Sequence, residues 1–201
     1  MRRSSGLSLA TLSAGIVAVL AVWIAEVGPV PGEQRVLIWF HDAGGTTVER
    51  LAQLTNDITD LAPLAALTGV LLTVVLALRR WVDAAVFVVG VGVVWAVNPL
   101  LKEIVGRSRP DLWPLPETVS QYGFPAGHAA DTAAVVAIVV LLLRVRRRQV
   151  IWLAVGAVVL VIVGLSQLVL GLHYPSDLVA GWLWAFAWIG FVHNMTKGGP
   201  G

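Results

Sequence analysis

Between Ser166 and Asp177, in SQLVLGLHYPSD, a histidine and an aspartate stand four residues apart where one long apolar run ends and the next begins. Ionisable groups at the lip of a membrane span are expensive to place, which marks His173 and Asp177 as functional candidates. An Asp177 carboxylate that accepts from one ring nitrogen of His173 would fix the tautomer and leave the other nitrogen nucleophilic. A second histidine, His128, follows Pro125-Ala126-Gly127 at the start of another apolar run. A histidine in that position can protonate a leaving oxygen. Cations outnumber acids in the preceding segment KEIVGRSRP, where Lys102, Arg107 and Arg109 suit an anion, above all a phosphate. Lys102 and Arg109 would share a face if that segment were helical. These residue types add up to phosphoryl transfer through a phosphohistidine. A His/Asp metal site is the other chemistry such residues allow, and the surplus of cations argues against it.

The elements that must position these groups are membrane helices. Of 201 residues, 57% are hydrophobic and 13% charged, roughly half the charge of an ordinary soluble domain. The apolar residues come in long blocks, which excludes a barrel of short alternating strands. The expected fold is all-α: six transmembrane helices in one bundle, a single domain over residues 1–201, with spans near 7–27, 61–78, 82–101, 128–143, 149–172 and 175–193. The run from Leu7 to Ala25 reads as a retained span, because its apolar core is too long for a cleaved leader and no clean cleavage site follows. Residues 28–60 read as a polar outer connection holding His41 and Asp42. Within it, Gln34 to Phe40 is apolar enough for the membrane interface, and Thr47 to Asp60 suits a short amphipathic helix. His193 reads as an interfacial residue.

Basic clusters at the N-terminus, at Arg79-Arg80, at Arg144–Arg148 and at Lys197 fall on one side by parity. The positive-inside rule then puts both termini in the cytoplasm and the 28–60, 102–127 and 173–175 connections outside. Lys102, Arg107, Arg109, His128, His173 and Asp177 therefore share the outer face. Two helix starts should point there as well, at Gly127-His128 and at Pro175, and each offers free N–H groups to an anion. Gly127 lets backbone approach a ligand closely. Asp131, one turn beyond His128, tunes that histidine, lines the pocket, or is simply a polar residue near a helix end. The net charge of +2 is spread over membrane-flanking clusters, so nucleic acid is not an expected partner; the bilayer is. With no cysteine, thiol and disulfide chemistry are excluded.

These segments resemble the three motifs of the type 2 phosphatidic acid phosphatase superfamily. KEIVGRSRP (102–110) is similar to the first, a lysine followed after six residues by Arg-Pro. PAGH (125–128) is similar to the second, usually PSGH. Ser166 to Asp177 is similar to the third, usually Ser-Arg, five residues, His, three residues, Asp. The resemblance implies a membrane lipid phosphatase needing no metal or cofactor, with His173 as nucleophile, Asp177 orienting it and His128 as general acid. It implies phosphate contacts from Lys102, Arg109, the Gly127 N–H, and positions 126 and 167. Two of those depart from the pattern: Ala126 replaces a serine and Gln167 an arginine. A lost hydrogen bond to a charged group is worth about 1.5–3 kcal/mol. Arg107, or an arginine of the first outer loop, is the expected substitute.

The resemblance further implies a bacterial plasma-membrane protein acting on a lipid phosphate at the outer face. Polyprenyl (undecaprenyl) pyrophosphate, in cell-envelope carrier recycling, is the first expected substrate. Phosphatidylglycerophosphate and phosphatidic acid are the alternatives. A catalytically weak lipid-binding or transport relative is a different class that Ala126 and Gln167 would favour, and a vanadate haloperoxidase would need a soluble scaffold.

Overall fold

The computed structural model describes residues 2–114 (2–9 by backbone), 120–143 and 149–196. The Arg144–Arg148 cluster and Lys197 lie outside the described residues. Seven helices are described: α1 Arg2–Glu26, α2 Glu33–Thr59, α3 Leu61–Ala77, α4 Trp81–Val105, α5 Gly127–Leu142, α6 Gln149–Val169 and α7 Pro175–Thr196. The protein is an all-α membrane protein. α4, α6 and α7 are each long and apolar enough to cross a bilayer. α2 and α3 together pass the same test but meet at a 52° bend, while α5 and the apolar part of α1 are shorter.

The outer connection differs most from expectation. Instead of a polar loop with one short helix, residues 33–59 form a long helix interrupted only at Gly45, whose backbone leaves the helical region. The interfacial segment and the amphipathic segment are thus one element. α2 lies along α6 and buries Leu37 completely.

The bundle is centred on α5. Ala129, Ala130, Ala133 and Ala134 are fully buried on it, and α4, α6 and α7 all pack against it. Without a hydrophobic drive between helices in lipid, small residues that admit close backbone approach hold such interfaces together. Gly181 of α7 shows the limit: a Cβ there would lie 2.7 Å from the Ala126 carbonyl oxygen. α1 packs along α7, and its Ile24 clusters with Phe124 and Ala180.

The two ends of the bundle differ. At one, Arg80 donates to the Leu142 carbonyl at the end of α5 (3.0 Å) and pairs with Asp83 at 2.6 Å. At the other, the described residues 106–114 and 120–126 pack over the α6–α7 turn. α4 ends at Gly106, whose N–H bonds to the Lys102 carbonyl. Lys102 therefore belongs to the last turn of α4 while Arg109 lies beyond it, so the two do not share a helix face. Residues 107–109 instead pair with 121–123 in a short antiparallel bridge, with Gly123 N–H donating to the Arg107 carbonyl at 2.8 Å. The turn after α6 passes through Gly171 (φ 64°), and the Trp113 indole is packed where a side chain there would stand. Trp113 also donates to the Leu170 carbonyl at 3.1 Å. This seam leads the chain directly into His173.

Candidate active site

Lys102, Arg109, Gly127, His128, Asp131 and His173 line one cavity of about 380 Å³ at that end of the bundle. They come from four places in the chain: the end of α4, the 106–126 connection, the start of α5 and the α6–α7 turn. The backbone ties two of these together, because Ala126 N–H donates to the Asp177 carbonyl at 3.0 Å. The starts of α5 and α7 are thereby clamped side by side.

His173 is buried at 1% exposure. Arg109 Nη1 lies 3.1 Å from its Nε2 and also donates to the Leu172 carbonyl at 2.7 Å, while Arg109 Nε donates to the Ser120 carbonyl. An arginine can only donate, so this contact makes Nε2 the acceptor and leaves the ring proton on Nδ1. Nδ1 faces Asp177 Oδ2 at 3.6 Å, longer than a hydrogen bond. Burial, and then the charges of Arg109 and Lys102, push the His173 pKa well below the usual 6.5, so the ring is a neutral base at physiological pH.

Asp177 is fully buried and held from two directions. Its Oδ2 accepts from Tyr174 N–H at 2.9 Å, and its Oδ1 accepts from Arg107 Nη1. Arg107 is not on the cavity. Its second Nη donates to Glu33 Oε2 at 2.6 Å, and its guanidinium lies 4.3 Å above the Tyr174 ring centre. Arg107, the expected substitute for a phosphate-binding arginine, thus stands off this cavity with both ends of its fork engaged by buried carboxylates. Glu33 completes the cluster by accepting the Ser176 N–H at the start of α7 (2.9 Å).

Ala126 and Gln167 are buried and also stand away from the cavity lining. Gln167 Nε2 donates to Asn56 Oδ1 of α2 at 3.1 Å. Three residues beyond the sequence expectation belong to the site. Asp60, at the α2–α3 bend, has Oδ1 3.1 Å from His128 Nε2. Asn98 lines the cavity one turn before Lys102. Gly123 allows the bridge to pass closely, since a Cβ there would lie 3.0 Å from Asp177 Oδ2. Only Asn98 had a visible signal, its helical spacing from Lys102. Among the described residues, no cluster of three or more His, Asp or Glu side chains is arranged to hold a metal ion.

Residues 68–198 match the family model described as the PAP2 superfamily. Phosphatidylglycerophosphatase B of Bacillus subtilis is 29% identical over 109 residues, covering 51% of this chain and 53% of that protein. Decaprenylphosphoryl-5-phosphoribose phosphatase of Mycobacterium tuberculosis is 32% identical over 106 residues, covering 51% and 54%. The matched segment thus spans about half the length of these curated relatives. The crystal structure of a transmembrane PAP2-type phosphatidylglycerolphosphate phosphatase from Bacillus subtilis superposes with a TM-score of 0.83, at 19% identity, over 94% of this chain and 96% of that one, which shows a shared fold. With the family model covering well over half its length, including all three motif segments, this chain belongs to the PAP2 superfamily.

Proposed function

We propose that the protein hydrolyses a phosphate ester of a membrane lipid in two displacements at this cavity. The contact of Arg109 with His173 Nε2, 3.1 Å apart beside Lys102, carries the reading. A phosphoryl group held by those two cations lies against the nitrogen lone pair, which is the positioning such transfer needs. Nε2 forms a bond to phosphorus as the ester P–O bond breaks, and His128 gives its proton to the leaving alcohol oxygen. Water then attacks phosphorus, passes its proton to His128, and the P–N bond breaks to release inorganic phosphate. Lys102, Arg109 and the N–H groups at the start of α5 stabilise the equatorial oxygens in both steps. Asp177 stabilises the Nδ1 proton once the ring becomes a charged adduct.

Six crossings fit this reading, with α2 as an outer-face element, both termini cytoplasmic and the cavity extracytoplasmic in a bacterial plasma membrane. The bacterial relatives and the position of Arg79-Arg80 opposite the cavity support it. Single cysteines placed in this cysteine-free chain, at the α3–α4 turn and in residues 107–123, should react with an impermeant thiol reagent from opposite sides.

Polyprenyl pyrophosphate, phosphatidylglycerophosphate and phosphatidic acid are the substrates to compare, and the names of the relatives support a phosphorylated lipid. Purified protein in mixed micelles should release phosphate from at least one, with label trapped on histidine by quenching. Release no greater than that of His173→Ala on every substrate refutes the phosphatase reading.

A further inference from the structure

Below the phosphate-binding groups, the same cavity contains polar atoms that the proposed reaction does not use. Trp95, Asn98 and Lys102 recur at helical spacing along one face of α4, and Asp131 faces them one turn into α5 from His128. Trp95 Nε1, Asn98 Oδ1 and Asp131 Oδ1 are all buried and without a hydrogen-bond partner. Asn98 is only 3% exposed, and its carboxamide adjoins Gly127 at the head of α5. Buried polar groups in a membrane bundle are ordinarily satisfied, and each exception calls for a reason. Of the eight such atoms among the described residues, four line this reaction cavity, and the three besides His173 Nδ1 share one.

We propose that Trp95, Asn98 and Asp131 form a leaving-group subsite that binds hydroxyl groups next to the scissile phosphate, so that the preferred substrate is a phosphate monoester of a polyol- or sugar-bearing lipid. This rests on the phosphatase reading above. The subsite offers an indole N–H that can only donate, a carboxyl group with a free acceptor oxygen, and a carboxamide that both donates and accepts. A hydroxyl donates and accepts at once and satisfies such a set. A second phosphate presents only acceptors and offers nothing to the unpartnered oxygens of Asn98 and Asp131. An unadorned acyl or prenyl chain leaves all three groups unpaired, which is how a site built for a hydroxyl rejects the analogue lacking it. The position agrees with the chemistry, because Asp131 follows His128, the proton donor to the leaving oxygen, on the same helix face.

The test compares kcat/KM for short-chain phosphatidylglycerophosphate, phosphatidic acid and polyprenyl pyrophosphate, and competition by glycerol 3-phosphate against ethyl phosphate, which carry no lipid tail. The polyol compounds should be preferred by about tenfold or more, the worth of one to two hydrogen bonds. Asn98→Leu and Asp131→Asn should each lower that preference about tenfold, through KM and through the inhibition constant of glycerol 3-phosphate. Trp95→Phe removes only the N–H and should lower it less. Variants that turn over phosphatidic acid but keep the full polyol preference overturn the subsite, as does a native enzyme that prefers polyprenyl pyrophosphate. Activity on none of the three above the His173→Ala level overturns the phosphatase reading, and the subsite with it.

Discussion

Arg107 and Asp177 form a buried ion pair, with side chains 5% and 0% exposed, and the carboxylate that Arg107 grips is the one that faces His173. The segment after α4 therefore braces the α6–α7 turn through an arginine that does not line the cavity. Glu33 on the far side of Arg107 carries the same restraint back to the start of α2.

Removing Arg107 leaves two buried carboxylates uncompensated, and breaking such a pair is worth about 3–5 kcal/mol. Arg107→Ala should lower the thermal midpoint strongly, whereas Arg109→Ala, which loses bonds to backbone carbonyls and to neutral His173, should lower it less and weaken inhibition by inorganic phosphate at least tenfold. Thermal unfolding and phosphate inhibition of the two variants check this. Equal loss of phosphate affinity in both would place Arg107 at the phosphate after all.

His173 makes stability depend on acid. Its folded pKa lies well below the unfolded value near 6.5, so the folded state binds fewer protons than the unfolded state in that window. Stability from this group is complete above pH 6.5 and is lost as pH falls toward the folded pKa, by up to about 1.4 kcal/mol per pH unit. Chemical denaturation at pH 7.5 and 5.5 should show this contribution as the difference in pH dependence between the native protein and His173→Gln.

His128 and Asp60 are expected to act as a unit. Removing a general acid typically lowers the rate by about 10²–10⁴. His128→Gln should fall in that range with an alkyl ester and recover in part with p-nitrophenyl phosphate, whose leaving group needs no proton. Asp60→Asn should show a smaller loss in kcat with the same dependence on leaving group. Parallel kinetics with the two esters distinguish this from a general structural defect.

Gly181 controls the α5–α7 approach. A methyl group there meets the Ala126 carbonyl and the Ala129 side chain, and overpacking of this kind is worth about 1–3 kcal/mol. Gly181→Ala should lower the thermal midpoint and reduce turnover, because Ala126 leads directly into Gly127 and His128. Gly69→Ala, with open space around it, is the control that should change neither.

Composition and spacing alone determined the membrane class, the helical bundle and the gathering of Lys102, Arg109, Gly127, His128 and His173 at one end. The reason is that bilayer thickness and the hydrophobic period constrain which residues lie at the ends of spans, and alternate ends then fall together. The long α2 was only half legible, as two separate segments, because nothing local in residues 33–59 reveals that α6 supplies a surface for them. Only the tertiary structure decided that Arg107 pairs with Asp177 and Glu33, that Asp60 meets His128, and that Trp95, Asn98 and Asp131 line the same cavity as Lys102 and Arg109. Each of those contacts joins residues on different helices or connections, and sequence patterns report the face a residue occupies, not the neighbour that packing brings to it.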